Sequence, residues 1–276
     1  MRSDAFQQME MLRKKAERGM KLELAGGIGI IILPVGLALL IAGINMKEKS
    51  YREMDELYRE VFIREPFEAN FGNTVFESLE GFSEEMVEGF QLFMMGNEFD
   101  SEAYGKAVFN DASIEISNVT IDDYDRMAKK DNTTIYFKGR MFVIEFLEKI
   151  AASEKVYSRS FSYRELSKEE ESCKTDIENG TSEKLFDTYL SGTEDAGKPV
   201  SVQLLDRLKS LDKRHKGIAV KLEGNKLILA LNDGDGIPFY RSKAKNISFD
   251  KELKRAQKDL DDIKAIITIL KNLYLK

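Results

Sequence analysis

The chain has 276 residues, of which 42% are hydrophobic and 33% charged, with a net charge of −6 and a pI near 5.2. Phosphate binding needs a basic face, so this acidic balance excludes nucleic acid as the main partner. A single cysteine, Cys173, excludes an intrachain disulfide, and a single histidine, His215, excludes a multi-histidine metal site within one chain.

Residues 1–24 read as a basic amphipathic leader. Ala5, Met9, Leu12, Ala16 and Met20 recur at helical spacing, with Arg13, Lys14, Lys15, Arg18 and Lys21 between them. Residues 25–45 follow as AGGIGIIILPVGLALLIAGIN, which carries no charge. An uncharged apolar run of about 20 residues suits a helix crossing roughly 30 Å of hydrocarbon, so one transmembrane helix is expected. Pro34 would kink it in mid-span. Gly29, Gly36 and Gly43 recur every seven residues and place small side chains on one stripe. Such a stripe suits close helix approach and a homo-oligomer, although glycine is also common in membrane helices. Lys and Arg are nearly balanced on the two sides of the run, so the charge rule determines the orientation poorly and leans only slightly towards a cytoplasmic N-terminus.

Residues 46–72 read as a juxtamembrane helix and linker. Tyr51, Met54, Tyr58 and Val61 share a face, and Pro66 is expected to end the helix. The remainder, 73–276, reads as one soluble α+β domain. A helix over 84–94 has Ser83 as its N-cap and Met86, Val87, Phe90, Phe93 and Met94 as its apolar face. Strands over 104–109 and 113–121 flank the turn cluster Asn110-Asp111-Ala112, with a bulge expected near Asn118. A long strand covers 134–146, with a bend at Gly139, and another covers 156–163. Residues 164–182 are charged and read as an exposed loop or irregular helix.

A short strand is expected over 185–190. Ser201 caps a helix whose Leu204, Leu205, Leu208 and Leu211 form one face, closed by Lys213, Arg214, His215 and Lys216. Ile218, Val220 and Leu222 alternate, Gly224-Asn225 turns, and Leu227, Leu229 and Leu231 alternate back, which is a hairpin. A loop follows. The last helix, 251–274, carries a heptad stripe from Leu253 to Tyr274, widened by Ile266, Ile269 and Leu273. A widened stripe points to a helix lying across a sheet or bundling with the 47–64 helix, with an intermolecular coiled coil as the alternative.

The search for chemistry is nearly empty. His215 sits in KRHKG and reads as a surface residue at a helix end. Cys173 lies among carboxylates, which disfavour a thiolate. Asn232-Asp233-Gly234-Asp235-Gly236 resembles a calcium loop but lacks an oxygen ligand at Leu231 and the closing glutamate at Ser242, so it reads as a turn. No catalytic, cofactor-binding or metal-binding residue is assigned.

The order of segments resembles the bacterial membrane-anchored family catalogued as domain of unknown function 3137. The resemblance rests on Glu88-Gly89-Phe90 before a Tyr104-Gly105 strand, SIEISNVT (113–120) and IYFKGRMFVIEF (135–146). It continues through LFDTYL (185–190), VSVQLLDRL (200–208) and the late hairpin with its closing helix. It implies hydrophobic N-terminal spans and one mixed domain, favours a cytoplasmic side for that domain, and carries no activity. Two departures stand: one apolar run where the family has two spans, and a short segment between Thr120 and Thr134.

The sequence therefore points to an α+β protein: one N-terminal transmembrane helix, then a mixed, mainly antiparallel sheet with covering helices. The expected role is a non-enzymatic interaction or scaffold module at the cell membrane, with the lipid bilayer and a protein as partners and no cofactor. A lipid or envelope-stress sensor, or a carboxylate-based enzyme, is the alternative.

Overall fold

The apolar run is divided between two helices. In a computed structural model, residues 2–29, 35–124, 133–150, 153–175, 186–190, 201–234 and 249–274 are described. Helix α1 is Arg2–Gly29 and helix α2 is Val35–Tyr58. They lie antiparallel: a Cβ added at Gly19 would meet the backbone of Gly43 and Lys47, and one added at Gly26 would meet that of Leu40 and Gly36. No helix among the described residues is long and apolar enough to cross a membrane. The expected transmembrane helix is thus corrected. The uncharged residues are shared between two antiparallel arms, so neither arm holds about 20 of them in a row. Pro34 and its expected kink lie outside the described residues.

The chain divides into two compact units, one of residues 1–66 and 236–256, the other of residues 67–235 and 257–276. In the first, Met9, Leu12 and Ala16 of the leader stripe are buried. Met9 and Leu12 pack with Met54, Val61 and Phe62. Phe6 stacks between Phe62 and Phe249, with centroids at 6.0 and 5.1 Å. The apolar stripe of the leader is therefore the inner face of a helical hairpin. Pro66 does not end the helical path. A π-helical turn over Arg59–Arg64 lets the Glu65 N–H donate to Glu60 O, and helix α3, Glu65–Asn70, follows. That bond, five residues back, is the π-helical pattern, and Pro66 follows it with no N–H of its own to place.

The second unit is built on a nine-stranded sheet among the described residues. The strands are β1 Gly72–Glu77, β2 Glu98–Phe109, β3 Ala112–Tyr124, β4 Thr133–Glu145, β5 Glu154–Ser158, β6 Lys174–Thr175, β7 Phe186–Leu190, β8 Ile218–Glu223 and β9 Lys226–Asn232. Their spatial order is β1-β2-β3-β4-β9-β8-β5-β7-β6 and every pair is antiparallel. The α+β, antiparallel part of the sequence reading therefore stands. The β2–β3 turn has φ of 50° at Asn110 and 63° at Asp111, which both residues tolerate. The expected bulge lies across from Asn118, on β2, where the register shifts between Glu102 and Gly105 and Ala103 has φ 61°. At Gly139 any Cβ would overlap the Leu231 carbonyl of β9, so this position is a close approach between strands.

Helix α4, Glu84–Gly89, is capped by Ser83, whose Oγ accepts from Met86 N at 3.2 Å. It stops short of the expected Met94 because Gln91 turns to φ 52°. That reversal sends Leu92 and Phe93 into the core, where Phe93 stacks on Phe137 at 4.7 Å. Phe93, Val119, Phe137, Met141, Tyr157, Phe161 and Ile228 belong to one buried cluster. The residues that alternate with them, such as Phe142, Ile144, Val220 and Leu229, are equally buried. A sheet buried on both faces needs this continuous apolar patterning. Helix α5, Lys168–Ser172, carries a capping box between Ser167 and Glu170. Helix α6, Val202–Asp212, is capped by Ser201. Helix α7, Phe249–Tyr274, buries Leu260, Ile263, Ile266, Ile267 and Leu270. Its end is held at the β2–β3 turn, where Lys271 Nζ reaches Asp111 at 2.8 Å and donates to Asn110 O at 3.0 Å.

Candidate functional site

Two kinds of site follow from these residues: buried ionic clusters in the sheet unit and an outer surface on the helical hairpin.

His215 is not the expected surface residue. Its side chain is 3% exposed, with Nδ1 2.9 Å from Asp233 Oδ1 and Nε2 3.1 Å from Asp259 Oδ2. Arg214 donates to Asp259 Oδ1 and Asp262 Oδ2, both at 2.7 Å, and Ser210 Oγ donates to Asp262 Oδ2 at 2.8 Å. The cations read as a helix-end flourish instead join the end of α6 to α7, because two aspartates on α7 offer stronger partners than bare carbonyls. Burial opposes charge on the ring, but its hydrogen bonds to the carboxylates of Asp233 and Asp259 outweigh it and hold its pKa above the ordinary value. Burial likewise opposes ionisation of Asp259, and His215 with Arg214 reverses that and lowers its pKa.

Near this cluster a serine and an acid come together. Ser158 Oγ lies 2.9 Å from Ser160 Oγ and accepts from Ile218 N at 2.9 Å. Asp212 is held close to both serines, with its pKa raised chiefly by burial. A Ser-His-acid relay needs an imidazole lone pair to take the serine proton. Both nitrogens of His215 are already directed at carboxylates, so the ring cannot serve Ser158 in that way. A second cluster surrounds Asp187 of β7, which meets Arg164 at 2.7 Å and Lys174 at 2.6 Å. Arg164 also lies over the Tyr157 ring at 5.4 Å. Tyr157 Oη donates to Leu92 O at 2.8 Å, and burial pushes its pKa far up. These groups are committed to holding the fold.

The other residues that the sequence singles out are equally quiet in their described parts. Cys173 is half-buried at the end of α5, 3.9 Å from Ser172 Oγ. Asn232 Oδ1 accepts from Gly234 N at 2.9 Å, the closing bond of a turn, and Asp233 is engaged by His215. Asp235 and Gly236 lie outside the described residues. Among the described residues there is no group of three or more His, Cys, Asp or Glu side chains that could hold a metal ion.

The hairpin of α1 and α2 differs. Glu23 and Lys47 tie the arms with a contact of 2.6 Å. Beyond that pair the sequence has no charge from Leu24 to Ile44. Gly26, Gly36 and Gly43 are buried between the arms, while Leu24, Ile28, Val35, Leu37 and Ile41 are 67, 71, 61, 46 and 50% exposed. Of the glycine stripe, Gly36 and Gly43 face α1 of the same chain and Gly29 ends that helix. Before the pair, one face of α1 carries Lys14, Lys15, Arg18 and Lys21. These line a groove of about 740 Å³ whose floor is Met11, Leu22 and Met46. Lys14 lies 3.8 Å from Glu10 and Lys21 3.3 Å from Glu17, both exposed pairs. Among the described residues, Lys15 and Arg18 have no carboxylate partner. The cations were legible in the sequence as a basic flank. Their shared groove was not, because Met46 comes from the other arm.

The model of the family described as "Protein of unknown function (DUF3137)" matches residues 135–274, from β4 to the end of α7. No curated protein and no solved structure matches the chain. The match covers half of the chain, including the β8–β9 hairpin, α6 and the α7 carboxylates that hold His215, and on it this protein belongs to the DUF3137 family.

Proposed function

We propose that this protein is a non-enzymatic interaction module that works at a membrane surface, attached to lipid by its helical hairpin and offering its sheet unit to a protein partner. One observation carries the reading: large apolar side chains exposed all around the hairpin end, on both arms, with cations on one face just behind them. Helices that are apolar all round belong in an apolar medium. Leu24, Ile28, Val35, Leu37 and Ile41 together expose about three full side chains' worth of surface, on the order of 4–9 kcal/mol if moved from water to hydrocarbon. The quiet chemistry of the sheet unit supports the non-enzymatic part. Asp187, Asp259 and Asp262, three of the buried acids of the sheet unit, are each held by cations.

Flotation of the purified full-length chain with phospholipid vesicles tests the reading. The protein is expected to rise with the vesicles and to stay down without them. A chain that stays down with every lipid composition overturns it.

A further inference from the structure

We infer that the hairpin end enters one leaflet only, and that the groove lined by Lys14, Lys15, Arg18 and Lys21 receives the headgroups of anionic phospholipid. This rests on the lipid attachment proposed above and adds a depth and a ligand class.

The depth comes from the arms. The Glu23–Lys47 pair marks where charge begins. Between Val35 and Gly43, which lies against the Glu23 backbone, an α-helix climbs about 12 Å at about 1.5 Å per residue. Half of a hydrocarbon core is about 15 Å and a whole one about 30 Å. The described part of the uncharged end therefore matches one leaflet and falls far short of two. Its packing suits lipid. The arms touch through Gly19, Gly26, Gly36 and Gly43, small residues that let backbones meet where no hydrophobic drive joins helices. Outward, the described side chains of this end are apolar in every direction, which favours an upright hairpin over one lying flat in the interface.

The ligand class comes from the height of the cations. Lys21 and Arg18 sit about 5 and 9 Å along α1 from Leu24. A headgroup layer is about 5–7 Å thick, so with Leu24 at the hydrocarbon edge these two reach the phosphates. Lys15 and Lys14 lie about 14 and 15 Å from Leu24, within about one Debye length of the outer edge of that layer. The apolar floor of Met11, Leu22 and Met46 gives the cation stems something to lie against.

The experiment uses the full-length chain and vesicles of phosphatidylcholine alone or mixed with phosphatidylglycerol. Each basic residue near an anionic surface is worth about fivefold in partitioning. The double variant Arg18→Gln/Lys21→Gln is therefore expected to lose about 25-fold on the mixed vesicles and nothing on phosphatidylcholine. Equal binding of the parent to both compositions, or an unchanged double variant, overturns the headgroup seat while leaving lipid attachment intact. The chain has no tryptophan, so Ile28→Trp gives a single depth reporter. Its emission is expected to shift to the blue and to be quenched by lipids brominated deep in the chain. It should be indifferent to iodide sealed inside the vesicles. Water-like emission, or quenching by the enclosed iodide, overturns the one-leaflet depth. Failure to float with any vesicle removes the functional reading itself, a result distinct from these.

Discussion

Replacing Asp259 with alanine tests how the carboxyl-terminal helix is held. Asp259 is 2% exposed and takes two charge-assisted hydrogen bonds, from Arg214 Nε at 2.7 Å and His215 Nε2 at 3.1 Å. Each such bond contributes about 1.5–3 kcal/mol, and a broken buried pair typically costs about 3–5 kcal/mol. Arg214 keeps Asp262 at 2.7 Å and the imidazole keeps Asp233, whose side chain is 44% exposed. The remaining partners place the loss in the lower part of the range, about 3–4 kcal/mol. The assay is urea unfolding followed by circular dichroism across a pH series. In the parent, the His215 pKa is raised above 6.5, so its stabilisation is complete below pH 6.5 and fades as pH rises through the folded value. The Asp259 pKa is lowered from 3.8, so its contribution is present above pH 3.8 and is lost as pH falls through the folded value. Stability from this cluster is thus greatest between those limits, and the alanine variant flattens both flanks. A loss below about 1 kcal/mol, or an unaltered pH profile, refutes the argument.

Two further changes probe the hairpin and the sheet. Gly43→Leu puts a side chain where a Cβ already overlaps the Glu23 backbone and comes within 2.7 Å of Gly19 O. Overpacking of this kind costs about 1–3 kcal/mol, so hydrogen exchange along residues 35–45 should speed up by at least fivefold, while the β8–β9 amides stay protected. Tyr157→Phe removes the donor at 2.8 Å from Leu92 O, which keeps the Glu165 N–H at 3.3 Å, so unfolding should ease by about 0.5–1.5 kcal/mol; a loss above about 3 kcal/mol would refute this sharing of the carbonyl.

Much of the local structure was legible in the residues. Ser83 and Ser201 stand immediately before their helices because a short hydroxyl can accept from the N–H groups that a helix start leaves free. Gly224-Asn225 between two alternating runs gives the β8–β9 hairpin, since only a tight turn with positive φ joins strands so close in the chain. The place of the single histidine could not be read. KRHKG has the composition of a solvated helix end, and nothing nearby in sequence announces aspartates more than 40 residues away on α7.

Residue order alone establishes an uncharged stretch from Leu24 to Ile44, a basic flank, and a set of strands and helices whose ends are written in short-range chemistry. That the stretch is two arms rather than one rod came from packing in three dimensions. An uncharged run has no polar face to mark its direction, so one long helix and a folded pair carry the same pattern; contact between Gly19, Gly26, Gly36 and Gly43 distinguishes them. Likewise, apolar patterning marks a strand as buried but not which neighbour it takes. The insertion of β9 and β8 between β4 and β5 was set by hydrogen-bond partners far apart in the chain.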